Sequence, residues 1–320
     1  ISYAITLSGL TSQTTYKIQA LVTDVAGNST MTLLSTTSGL VTVDTTAPTA
    51  GTVTMTSTDG GASSSDGIVG TLTPSFALAV SGTSDGSYTG SGSNATGISS
   101  VVLQVSSDGG TTWVDNATFT APSGGGTAYT VTAAALTSGT TYSVRALVTD
   151  LATNTVTSAL STTNGRITVD TTAPTVGTLT LDTDNGSSSS DGIVGTLTPA
   201  FTLATASDTA YTGSNAPTSA VASVVVQVST DNGSTWTTKG TSASTSSPYA
   251  ITLSGLTSQT TYKIQALVTD VAGNTSTTAL STTSALITVD TTAPTAGTVT
   301  MTTSDPGSDG IVNTLTPAFS

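Results

Sequence analysis

Apolar and polar residues alternate along this chain in short runs. In "TTYSVRALVTD", Tyr142, Val144, Ala146 and Val148 fall on one side, and Ser143, Arg145, Leu147 and Thr149 on the other. That is the period of a strand with one buried face. The same alternation marks "TVTM" from Thr52, "PSFALAV" from Pro74, "ISSVVLQVS" from Ile98, "AYTVTAA" from Ala128 and "RITV" from Arg166. Turn formers separate the runs: Asp108, Gly109 and Gly110 precede Trp113, and Asp231, Asn232 and Gly233 precede Trp236. No segment has helical periodicity. About seven short strands per unit with turn signals between them predict an all-β, two-sheet sandwich.

The pattern recurs. "VDTTAPTAGTVTM" begins at Val43 and again at Val289, with "VDTTAPTVGTLTL" between them at Val169. Asp44, Asp170 and Asp290 are therefore 126 and 120 residues apart, as are Asp24, Asp150 and Asp270 of the "VTD" motifs. Tyr3 to Asn28 is identical to Tyr249 to Asn274, as expected of recent duplication within a longer array. The phase divides the chain into the C-terminal part of a repeat (1–43), two complete repeats (44–169 and 170–289) and the N-terminal part of another (290–320).

"LTSGTTY" from Leu136, and "LTSQTTY" from Leu10 and Leu256, have the leucine-to-tyrosine spacing of a tyrosine corner, known in immunoglobulin-like and fibronectin type III sandwiches. Together with "VDTTAP", "VTDVAGN", "SSSDGIVGTLTP" and "STDNGSTW", they resemble the tandem bacterial Ig-like repeats of very large secreted adhesins and surface proteins, including Bap-like and RTX-type adhesins. The resemblance implies fibronectin III-like sandwiches arranged as an elongated rod, outside the cell or on its surface. The repeats here add Ser/Gly/Thr-rich loops, such as Ser81 to Gly97.

Composition narrows the chemistry. The 320 residues carry a net charge of -13, with no Cys and no His; all 18 acidic residues are Asp, and the cations are Lys17, Arg145, Arg166, Lys239 and Lys263. Nucleophilic catalysis lacks a base to activate Ser or Thr, and acidic residues that recur in every repeat suit a structural motif better than an active site. The charge argues against nucleic-acid partners and anionic membrane surfaces and favours divalent cations. No apolar run is long enough to span a bilayer. Trp113 and Trp236 are expected to pack the core, although stacking on sugars is the alternative. Asn-x-Ser/Thr triplets, Asn94 among them, are too easily formed by chance in so Thr-rich a chain to assign glycosylation.

The topology then places the acidic residues. Asp44, Asp170 and Asp290 lie at the junctions, and Asp150 and Asp270 end strand F facing back toward them. Asp85 and Asp208 reach the same poles from the loops after strand B. From the opposite pole of the preceding unit, Asp66 and Asp108 are expected to approach Asp170, and Asp184, Asp191 and Asp231 to approach Asp290. Converging carboxylates repel unless a cation is shared, and Ca2+ fits, with Asn28 and Asn274 as further oxygen donors. Turn and cap duty is the competing account for every one of these Asp residues. "DTDNG" from Asp182 has no Glu in the place that an EF-hand requires. Pro48, Pro174 and Pro294 fix φ where strand A begins.

Three roles follow as expectations. The first is a stalk segment of a giant adhesin or extracellular fibre, stiffened by calcium between neighbouring repeats of the same chain. The second is a surface-layer or filament subunit touching identical chains through outward leucines such as Leu21, Leu147 and Leu267. The third is a module whose loops bind surface glycans.

Overall fold

A computed structural model describes residues 2–35, 39–57, 66–85, 97–122, 127–161, 165–208, 221–282 and 284–320. Residues 86–96 of the long loop, with the Asn94 triplet, lie outside the described residues. Near the N-terminus, β1 (Thr14–Lys17) pairs antiparallel with β4 (Leu40–Val43), and β2 (Gln19–Thr23) with β3 (Ser29–Leu33). Leu21 on β2 is exposed there.

The first sandwich contains β5 (Val53–Met55), β6 (Ile68–Val69), β7 (Ser75–Ala79), β8 (Ile98–Ser106) and β9 (Val114–Thr118), followed by β10 (Ala128–Thr132), β11 (Thr140–Asp150), β12 (Thr155–Ala159) and β13 (Arg166–Val169). One sheet has the order β10-β7-β5; the other runs β6-β13-β11-β8-β9, with β12 continuing beside β11. The alternation read from "TTYSVRALVTD" is realised in β11: Tyr142, Val144, Ala146 and Val148 are buried, while Leu147 is half-buried on the outer face. Between the sheets these side chains meet Phe76, Leu78, Leu103 and Ile167. Full burial of each large apolar side chain contributes about 1.5–3 kcal/mol, which makes this layer the main support of the fold.

The second sandwich repeats the plan with β14 (Thr175–Val176), β15 (Leu179–Leu181), β16 (Ile193–Val194), β17 (Ala200–Leu203), β18 (Ala206–Ser207) and β19 (Val221–Ser229), then β20 (Thr237–Thr241), β21 (Tyr249–Thr252), β22 (Thr260–Asp270), β23 (Thr275–Ala279) and β24 (Leu286–Val289). Its sheets are β15-β17-β21 and β16-β24-β22-β19-β20, with β23 beside β22 and a small β14-β18 pair. Its core gathers Phe201, Leu203, Val226, Ile251 and Ile264. Strand order and sheet pairing make both units Ig-like, fibronectin III-type sandwiches.

Two local devices fix the frame. Each corner tyrosine accepts a backbone N–H from five residues upstream: Thr137 N to Tyr142 Oη at 3.1 Å, Thr257 N to Tyr262 Oη at 2.9 Å, and Thr11 N to Tyr16 Oη at 2.7 Å. The short β6 pairs parallel with β13, and β16 with β24, just before the chain leaves each sandwich. Val69 of β6 points into the core and Ile68 away from it, the expected alternation of a strand.

The tryptophans correct the sequence reading. Both are half-buried and belong to neither core cluster. Trp113 lies over its own hairpin turn, donating Nε1–H to Gly110 O at 3.0 Å, and Arg145 stacks on its ring at 3.9 Å from the centroid. The turn beneath each indole needs glycine for its backbone, Gly110 at φ 96° and Gly233 at φ 94°, and a Cβ there would only touch the rings, at 3.5 Å from Trp113 and 3.4 Å from Trp236.

Candidate cation sites at the domain linkers

Two groups of three carboxylates form among the described residues, Asp44 with Asp85 and Asp150, and Asp170 with Asp208 and Asp270. Each residue contributes one oxygen, and the oxygens of a group lie within 4.8 Å of one another. The three sources are the same in both sandwiches: the linker before the first strand, the start of the loop between the sheets, and the last residue of β11 or β22. Asp44 is half-buried, whereas Asp85, Asp150, Asp170, Asp208 and Asp270 are buried.

The strand-ending Asp builds the turn that follows it. Asp270 Oδ1 accepts the amides of Ala272 and Asn274, both at 2.9 Å, and its Oδ2 accepts Asn274 Nδ2 at 3.0 Å. Asp150 does the same with Ala152 and Asn154. The asparagine also grips the linker, Asn274 Nδ2 donating to Asp170 O at 3.0 Å and Thr172 O at 3.2 Å, and Asn154 Nδ2 to Asp44 O at 3.4 Å. Asn274 and Asn28, expected as oxygen donors to an ion, thus use their amide hydrogens to order this turn, Asn28 Nδ2 bonding Asp24 Oδ2 at 2.9 Å.

The linker Asp is differently placed. Asp170 Oδ1 accepts the Thr172 amide at 2.9 Å, but its Oδ2 is buried and receives no N–H or hydroxyl donor. Burial pushes the Asp170 carboxyl up to about 6, with the neighbouring Asp208 and Asp270 carboxylates adding to the shift. Burial also raises Asp270, against the lowering effect of its bonds from Asn274. A site of this kind holds either a shared proton or a shared cation. The cations with described contacts are engaged on sheet faces: Arg145 Nε bonds Gln104 Oε1, Lys239 Nζ bonds Gly255 O, and Lys263 Nζ bonds Asn232 O.

The remaining acidic residues named from sequence do not join a group of three. Asp108 accepts Ser106 Oγ at 2.7 Å, Thr112 Oγ1 at 2.6 Å and the Thr111 amide at 3.0 Å, so its carboxyl is held well below the usual range by those hydroxyls and amides. Asp231 repeats this with Ser229 Oγ and Thr235 Oγ1, both at 2.7 Å. Asp66 and Asp191 cap the amides of Ile68 and Ile193 at 3.0 Å. Asp184 Oδ2 accepts the Gly192 amide at 3.1 Å, and exposed Asp290 accepts Gln259 Nε2 and the Thr292 amide. For Asp108 and Asp231 the physical reason is local: hydroxyls and amides of the same turn satisfy these carboxylates before a distant partner can, whereas Asp184 keeps its Oδ1 buried without a hydrogen bond.

No family model matches the chain, and no curated protein matches it. Among solved structures it is similar to the FN1–FN3 domains of chicken CNTN1, at 16% identity over 80% of this chain and 72% of that one, with a TM-score of 0.26. It is also similar to a chimeric titin Z1Z2 tandem, at 14% identity, 76% and 99% coverage and a TM-score of 0.22. A third is the Bacteroides ovatus glucan-utilisation protein SGBP-B, solved with a mixed-linkage heptasaccharide, at 14% identity, 91% and 55% coverage and a TM-score of 0.19. At these scores the fold assignment stands on strand order and pairing.

Proposed function

We propose that the chain is a non-enzymatic spacer segment of an extracellular bacterial surface protein, an adhesin stalk or fibre, whose linkers are ordered by calcium. One observation carries this reading: two carboxylate triads of the same construction hold the linker Asp of each sandwich against the end of its long strand. The donor set is all oxygen and carries three formal negative charges, which suits a hard divalent ion with flexible coordination. Asp44, Asp85 and Asp150 would hold one ion, and Asp170, Asp208 and Asp270 another. The resemblance of "VDTTAP" and "VTDVAGN" to adhesin repeats supports the surface location, as does the millimolar calcium outside cells, which matches the affinity of about 10⁻⁴ to 10⁻³ M of extracellular modules. An ion present at ten times its dissociation constant adds about 1.4 kcal/mol to the state that binds it.

The test is a calcium titration from excess chelator to several millimolar, followed by melting temperature and small-angle scattering. The reading requires a higher Tm and a narrower spread of interdomain distances with calcium. Identical curves in chelator and calcium would remove it.

A further inference from the structure

Ile68 points away from the core of the first sandwich, yet it is only 5% exposed, because Val271 and Ala272 of the second sandwich close over it. Beside it the two units come closer still. A Cβ on Gly70 would lie 2.9 Å from Ala272 O, 3.5 Å from Asn274 Oδ1 and 3.8 Å from Asp170 O, so its three nearest neighbours all belong to the linker or to the next sandwich. Gly70 is not in the left-handed region, unlike Gly67 at φ 77°. Its lack of a side chain therefore serves the approach of the neighbour and not the shape of its own turn.

The turn that docks here is also the turn that the cation site builds on. Asp270 Oδ1 orders Ala272 and Asn274 through their amides, and Asn274 Nδ2 donates to the linker carbonyls Asp170 O and Thr172 O. From the other side Asp170 N donates to Val69 O at 2.9 Å, next to Ile68 on β6. The Asp170 backbone is thus gripped between β6 of one sandwich and the Asn274 turn of the next, and that grip sets its carboxylate beside Asp208 and Asp270. Asp208 and Asp270 are fixed to one sandwich, so repulsion among the three falls on the ligand that the linker brings. The apolar contact at Ile68 opposes it.

We infer, given calcium at the second triad as proposed above, that Ile68 and Gly70 of the first sandwich are positioning residues for the ion site of the second. Neither touches the ion. They raise the share of molecules in which Asp170 already faces Asp208 and Asp270, and the apparent dissociation constant falls in proportion to that share. The coupling is reciprocal: calcium tightens the apolar contact by the same factor by which the contact tightens calcium. The affinity of this site is then set by the exit turn of the preceding unit, "GIVG", and not by its three carboxylates alone.

The test titrates calcium into the metal-free full chain, with the amide resonances of Asn274 and Asn154 reporting the second and first triads separately. The Asp44 triad lies at the far end of β11 from β6 and serves as the internal control. Gly70→Ala is expected to raise the calcium midpoint at Asn274 roughly tenfold, equivalent to about 1.4 kcal/mol, with the midpoint at Asn154 and the melting transition of the first sandwich in chelator unchanged. Ile68→Ala should move the Asn274 midpoint in the same direction, and Ile68→Val should keep most of the wild-type value. An Asn274 midpoint that Gly70→Ala leaves in place, or one that moves together with that of Asn154, would overturn the positioning role while calcium binding stands. A wild-type chain in which neither amide responds to calcium would overturn both.

Discussion

Thr153 adopts φ 74° in the turn after β11, where the corresponding turns have Gly27 and Gly273 at φ 89°. A β-branched residue in the left-handed region is strained by about 1–2 kcal/mol, part of which a glycine returns as unfolded-state entropy. Thr153→Gly is expected to stabilise the first sandwich by roughly 0.5–1 kcal/mol, read as a rise of a few degrees in its melting transition. Asp170 offers the sharper test. Two carboxylate charges within 4.8 Å of one another repel by about 3.5 kcal/mol or more at an effective dielectric near 20. Asp170→Asn should therefore raise the metal-free Tm of the second sandwich and abolish its calcium response, while the first keeps its own. The pH dependence has a defined sign. Burial pushes the folded-state value of Asp170 up to about 6, above the ordinary 3.8 of an aspartate, so the folded chain binds the extra proton. Stability in chelator is then greatest below about pH 4 as far as this group is concerned and falls as pH rises through 6. Denaturant midpoints at pH 5 and 7 should show the loss in chelator, and calcium should cancel it.

At the scale of elements, strands were legible and turns only partly so. The period-two runs located β7, β8, β10, β11 and β13, because a half-buried strand must alternate whatever its partners are. The repeat spacing picked out Asp44, Asp150, Asp170 and Asp270, and the topology added Asp85 and Asp208. Residue type alone could not separate these from Asp108 and Asp231, whose role depends on the hydroxyls around them. Ser106 and Thr112 flank one and Ser229 and Thr235 the other, a spacing that marks a self-capped turn. Asp108→Ala should accordingly lower the Tm of the first sandwich without changing the increment that calcium adds, which differential scanning calorimetry in both conditions would record. The tryptophans misled for a similar reason: an aromatic residue after a strand-turn signal looks like core, but Gly110 and Arg145 give Trp113 a seat on the outer face.

For the whole molecule, what joins the sandwiches matters more than what fills them. The linker was visible in sequence as "VDTTAP", but the apolar cover of Ile68 was not, since it needs the knowledge that Val69 claims the inner side of a two-residue strand. The parallel pairing of β6 with β13 has a mechanical consequence. Thr168 N bonds Gly67 O at 2.8 Å and Asp170 N bonds Val69 O at 2.9 Å, immediately before the chain leaves the unit. Tension applied through the outgoing segment slides those two strands past each other instead of peeling them apart. Both bonds then bear load together and must break at once, so the exit of each unit should behave as a latch under pulling.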